Sequence, residues 1–147
     1  MWRSRGLEKM EDAQYKVIID TDVLIDFLRG SEKVVSFIKE WENRRVKLST
    51  TVVNAFELYY GAYKSKKQLL NITATRKLLE NLVVLSMNLR SAEKATQIQA
   101  EMEEEGQPIG IRDTIISAIA LTKGYSLVTR NTAHMQKIKD IHLITAP

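Results

Sequence analysis

Residues 17–26 read V-I-I-D-T-D-V-L-I-D. Val17, Ile18 and Ile19 are β-branched and follow one another without polar interruption. A strand with one wet face would alternate, so this run describes a strand covered on both sides, as in a parallel sheet with helices on each face. It ends on Asp20, and from Val23 the pattern turns helical, with Asp22 and Asp26 a turn apart on one face. Acids at the start of a helix sit well with its dipole. What needs a reason is the carboxylate at the end of the strand itself.

Outward from this stretch the same alternation of short apolar runs and amphipathic segments continues. Strands are predicted over residues 16–20, 46–49, 82–85, 125–129 and 143–144. Helices are predicted over 23–28, 32–43, from 51 through 63, 66–82 and 91–105. Gly30 is placed to end the first helix and Ser31 to cap the second. Thr50 or Thr51 can cap the third, on which Val52, Val53, Phe56, Tyr59, Tyr60 and Tyr63 recur at helical spacing. The stretch G-I-R-D-T-I-I-S-A-I-A-L-T-K-G at 110–124 is apolar nearly all round beyond Asp113 and predicts a buried helix ended by Gly124. Residues 129–134 read as a loop and 135–138 as a short helical turn. Strands separated by helices give an α/β, three-layer α/β/α architecture around a central parallel sheet of four or five strands.

The 147 residues suit one domain with its own core. No cysteine is present, so thiolate chemistry is excluded, and with His134 and His142 as the only histidines the composition argues against a histidine-rich zinc centre. A metal would sit on oxygen donors, which favours Mg2+ or Mn2+. The first 14 residues mix charge signs without an apolar core, and no later run is long enough for a membrane span, so a cytoplasmic location is expected. Residues 1–14 are expected to be a poorly ordered N-terminal extension, with Met10 as an alternative start. A net charge of +4 is compatible with a polyanionic partner.

Asp20 lies where ligands bind in parallel sheets, at the carboxyl end of a strand. Asp113 opens the buried helix, and Glu57 stands between Phe56 and Leu58 on an aromatic helix, where an unpartnered carboxylate would be costly. Each has a plainer reading: a cap for the next helix, an ordinary N-terminal helix acid, a solvent-facing glutamate. Together, three carboxylates from three segments suit a magnesium-like cation, which serves phosphodiester hydrolysis without histidine or cysteine.

The opening D-T-D also resembles the start of haloacid-dehalogenase-like phosphatases, which would make Asp20 a nucleophile and Asp22 a general acid. No glycine turn follows it, and no later strand ends in the Gly-Asp or Asp-Asp pair that this resemblance requires. The chain as a whole resembles the PIN domain family, most closely its VapC-like toxin ribonucleases of type II toxin–antitoxin systems. The matching pieces are V-I-I-D-T-D-V-L-I-D-F-L-R-G at 17–30, L-S-T-T-V-V-N-A-F-E-L-Y-Y-G at 48–61, I-R-D-T-I-I-S-A-I-A at 111–120 and L-V-T-R-N-T-A-H-M at 127–135.

That resemblance implies a PIN-like nuclease domain over residues 15–147 and Mg2+- or Mn2+-dependent endoribonuclease activity. Its acidic pocket would fall on Asp20, Glu57 and Asp113, with Asp20 and Asp113 as the main metal ligands. Thr21, Arg130, Asn131 and His134 would lie around them or against substrate. Asn131 stands where many relatives carry a fourth acid, which lowers the charge available for a second cation. A small antitoxin, an RNA substrate and a homodimer are the implied partners, with no membrane. The alternative is a PIN-like subunit that binds RNA or acts as a scaffold without catalysis.

Overall fold

The computed structural model describes residues 15–147; the extension expected over residues 1–14 lies outside the described residues. In chain order the elements are β1 (Lys16–Ile19), α1 (Thr21–Leu28), α2 (Glu32–Asn43), β2 (Lys47–Thr51), α3 (Val52–Tyr63), α4 (Gln68–Glu80), β3 (Val83–Leu85), α5 (Leu89–Glu104), α6 (Ile111–Lys123), β4 (Ser126–Thr129), α7 (Thr132–Met135) and β5 (Leu143–Thr145). The five strands form one sheet in the order β3-β2-β1-β4-β5, every neighbouring pair parallel.

The unbroken apolar run of β1 is explained by the two cores it separates. Val17 and Ile19 point to one side, into a cluster with Val23, Leu24, Phe37, Trp41 and Val128. Ile18 points to the other, with Ile98, Met102, Ile116, Ile119 and Leu127. The period of two is present, but both phases are buried, so the sequence shows no alternation. Thus α1, α2 and α4 cover one face and α5 and α6 the other, which is the expected three-layer arrangement. Among the described residues no helix is long and apolar enough to cross a membrane.

Three local expectations are corrected. Residues 132–135 form the short helix α7, where a loop was expected, and Met135 is its buried anchor. Ser31 stands at the N-cap of α2 but makes no side-chain cap hydrogen bond. On α3, where at least half of Phe56, Tyr59, Tyr60 and Tyr63 are expected in the core, the buried line is Asn54, Leu58 and Ala62, while Phe56, Tyr60 and Tyr63 face outward.

Strand order fixes where the site must be. From β1 the chain moves through α1 and α2 to β2 on one side, whereas from β3 it crosses through α5 and α6 to β4 on the other. Beyond the carboxyl ends of β1 and β4 the connections therefore part in opposite directions and leave a crevice between them.

Candidate active site

Asp20 sits at that crevice. Its backbone N–H donates to the Val128 carbonyl (2.9 Å), which continues the β1–β4 ladder by one residue, and its side chain caps α1 by accepting from the Thr21 N–H (2.8 Å). The residue is 6% exposed. A carboxylate so placed must have its lone pairs filled. Oδ1 also accepts from Asn54 Nδ2 (3.1 Å) and Oδ2 from Thr129 Oγ1 (2.8 Å).

Glu57 approaches from the second turn of α3. That helix is aimed by a capping box: Thr51 Oγ1 accepts from the Val53 and Asn54 N–H groups, while Asn54 Oδ1 accepts from the Thr51 N–H (3.1 Å) and hydroxyl (2.7 Å). With its oxygen thus engaged, the Asn54 amide must turn its NH2 toward Asp20 and Thr21. Of the two threonines offered as caps, Thr51 is the one used; Thr50 donates instead to the Ile19 carbonyl (2.9 Å), tying β2 to β1. Thr21 Oγ1 donates to Glu57 Oε1 (2.5 Å).

Asp113 enters from the first turn of α6, behind the N-cap Gly110. Its Oδ2 accepts from Asn131 Nδ2 (3.2 Å), and the Asn131 N–H donates to Thr129 Oγ1 (3.0 Å). Asn131 therefore meets the third acid through its amide nitrogen and adds no negative charge to the pocket.

The three acids do converge, and what they converge on is Arg112. Its Nη2 lies 2.5 Å from Asp20 Oδ1, its Nε 2.6 Å from Glu57 Oε2 and its Nη1 2.5 Å from Asp113 Oδ1. Burial alone would weaken the guanidinium's hold on its proton. Its hydrogen bond to Glu57 and the charge and hydrogen bond of Asp20 outweigh that, so its pKa rises above an already high value. Three carboxylates against one guanidinium leave two negative charges uncompensated.

That excess, on hard oxygen donors, has the chemistry of a Mg2+ or Mn2+ site. As placed, the acids are spaced around a planar guanidinium, and among the described residues no three acidic or histidine side chains close on a single point as ligands of one ion would. The donor set fits a divalent cation in type and charge, on the condition that Arg112 gives way.

The remaining predicted residues divide. Thr21 and Asn131 belong to the network. Arg130 is turned elsewhere: its Nη2 pairs with Asp26 Oδ2 (2.7 Å) and its Nε donates to the Pro147 carbonyl (2.8 Å). His134 is exposed on α7 and has no hydrogen bond to any of the three acids. Asp22, the general acid of the phosphatase reading, is exposed while its neighbour Asp20 is buried. Sequence reasoning missed Asn54, Thr129 and Arg112. The Thr51-x-x-Asn54 spacing was a signal for the first; an arginine beside an acid at a helix start reads as a solvated pair and signalled nothing.

Comparison with known proteins agrees with this fold. The family model described as PIN domain matches residues 17–140. The chain is 28% identical over 123 residues, 84% of its length and 92% of the other, to the tRNA(fMet)-specific endonuclease VapC of Shigella flexneri. In structure it is similar to the toxin–antitoxin complex VapBC2 of Rickettsia felis bound to promoter DNA, at a TM-score of 0.83 and 20% identity, covering 90% of this chain and 99% of that one. DNA-bound VapBC of Salmonella typhimurium gives 0.80 at 26% identity, over 89% and 98%. The family model spans most of the chain, and the chain belongs to the PIN domain family.

Proposed function

We propose that this protein is an endoribonuclease dependent on Mg2+ or Mn2+, and that it is the toxin of a toxin–antitoxin pair. The observation that carries the reading is the convergence of Asp20, Glu57 and Asp113 from separate elements at the crevice, with negative charge left in excess. The family match and the likeness to VapC ribonucleases support it. A divalent cation, when bound, supplies water activation and neutralises charge on the phosphodiester.

This chain's own residues do the rest. Asp20 and Asp113 would hold the ion, and Glu57 would complete the acidic set. Thr21, Asn54 and Thr129 fix Asp20, so its orientation does not wait for the ion. Asn131 steadies Asp113 without adding charge. The net charge of +4 favours a polyanionic substrate.

An antitoxin has a place to lie. An apolar groove of about 440 Å³ runs between α1, α2 and α4, lined by Leu24, Phe27, Leu28, Ala74, Leu78 and Leu82. Leu28 and Ala74 also line a smaller cavity that reaches Glu57, so a partner's extended segment bound in the groove would lead into the acidic pocket.

The test is RNA cleavage by purified protein with added Mg2+. Asp20→Asn should lower the rate on the order of 1,000-fold, because several kcal/mol of charge stabilisation rest on the cation it would hold. Undiminished cleavage by that variant would defeat the assignment and expose a contaminating nuclease. The second reading, a scaffold or RNA-binding subunit without catalysis, is favoured by Asn131 and by the arginine among the acids. An RNA-binding protein with no cleavage at any Mg2+ or Mn2+ concentration would decide for it.

A further inference from the structure

Arg112 is the feature of the pocket that the nuclease reading does not use. Its three nitrogens each bond an oxygen of a different acid, at 2.5 to 2.6 Å, and it is the only cationic side chain paired with any of the three among the described residues. A magnesium-like ion takes such oxygens at about 2.0–2.1 Å from a common centre. The guanidinium and the ion would therefore claim the same oxygens and the same space, with like charges in contact. Leaving is open to the arginine. It is the second residue of α6, its side chain is 33% exposed, and its length lets rotamer changes alone carry the head group into water.

We propose that Arg112 is an internal competitor for the divalent cation: its guanidinium seats among Asp20, Glu57 and Asp113 in the metal-free protein and swings out when the ion enters. The charge imbalance supports exchange over a permanent structural bridge. A guanidinium leaves the pocket two charges short of neutrality, whereas a dication leaves it only one short. Because Arg112 stays protonated at any working pH, its release is driven by cation concentration. The protein would then bind metal through its arginine-out fraction alone, and its apparent affinity would be reduced by that fraction.

This inference rests on the nuclease reading, and calorimetric titration of the full chain with Mn2+ tests the two separately. If the guanidinium is seated about nine-tenths of the time, Arg112→Gln binds Mn2+ about tenfold more tightly than wild type. A variant that keeps its circular dichroism spectrum and binds Mn2+ no more tightly than a metal-binding wild type overturns the competition and leaves the nuclease reading standing. If neither protein binds Mn2+, both proposals fall. A measurement on the wild type guards against a variant that does not fold. The Arg112 Nε–H resonance should be protected from solvent exchange without metal and lose that protection as diamagnetic Mg2+ is added. A resonance unmoved at saturating Mg2+ overturns the proposal.

Discussion

Asn54 is wholly buried three residues before Glu57, on the same face of α3. All four of its hydrogen-bonding positions are used: the amide oxygen takes the Thr51 N–H and hydroxyl, and the NH2 donates to Asp20 and Thr21. One side chain thus starts the helix that carries Glu57 and fixes the acid at the end of β1. Asn54→Ala strands the Thr51 groups and removes a donor from a buried carboxylate, at a cost of about 2–3 kcal/mol in urea denaturation. It should also weaken Mn2+ binding by roughly 10- to 100-fold, as for other groups that orient metal ligands. Unchanged Mn2+ affinity in a folded variant would reduce Asn54 to a helix cap. This residue also marks where sequence reasoning stops. Asp20, Glu57 and Asp113 could be found because a carboxylate at a strand end, among aromatics or at the start of a buried helix already poses an electrostatic problem. Asn54, Thr129 and Arg112 pose none until their partners in space are known.

Elements were legible where backbone chemistry is local. The helix α6 runs from Ile111 to Lys123 and ends at Gly124 with φ 76°, as its sequence pattern predicted. A Cβ at Gly124 would meet nothing within 4 Å, so Gly124→Ala carries only the left-handed backbone penalty, about 1–2 kcal/mol, readable as a lowered urea midpoint with unchanged slope. A null result would mean that the backbone there relaxes freely. The bounds of α2, Glu32–Asn43, were equally plain. By contrast, the existence of α3 could be read but its orientation could not. Aromatic hydrophobicity pointed to at least half of Phe56, Tyr59, Tyr60 and Tyr63 as core, with the rest left for a partner, and the fold buries Asn54, Leu58 and Ala62 instead. Periodicity identifies a helix, but when apolar residues occupy most of its surface it cannot say which stripe faces the sheet.

That outward stripe becomes a question about the whole molecule. Phe56, Tyr60 and Tyr63 are 69%, 58% and 57% exposed, and the first two rings stack with centroids 6.1 Å apart. A soluble protein rarely leaves such an aromatic row bare unless something covers it. The groove proposed for an antitoxin is lined chiefly by α1, α2 and α4, so the row on α3 is left for a second copy of the chain. Two-fold pairing would set the same aromatic helix against itself, a self-complementary arrangement that needs no further surface. In the proposed homodimer, sedimentation at tens of micromolar should give a dimer for the wild type. Phe56→Glu combined with Tyr60→Glu should give a folded monomer, because carboxylates would then face one another across the axis. Surface changes of this kind leave the fold itself stable to within about 0.5 kcal/mol, so a cooperative thermal transition for the monomer, with a midpoint independent of protein concentration, would separate lost association from lost fold. A wild type that sediments as a monomer, or a double variant that stays dimeric, would assign the aromatic row to some other contact.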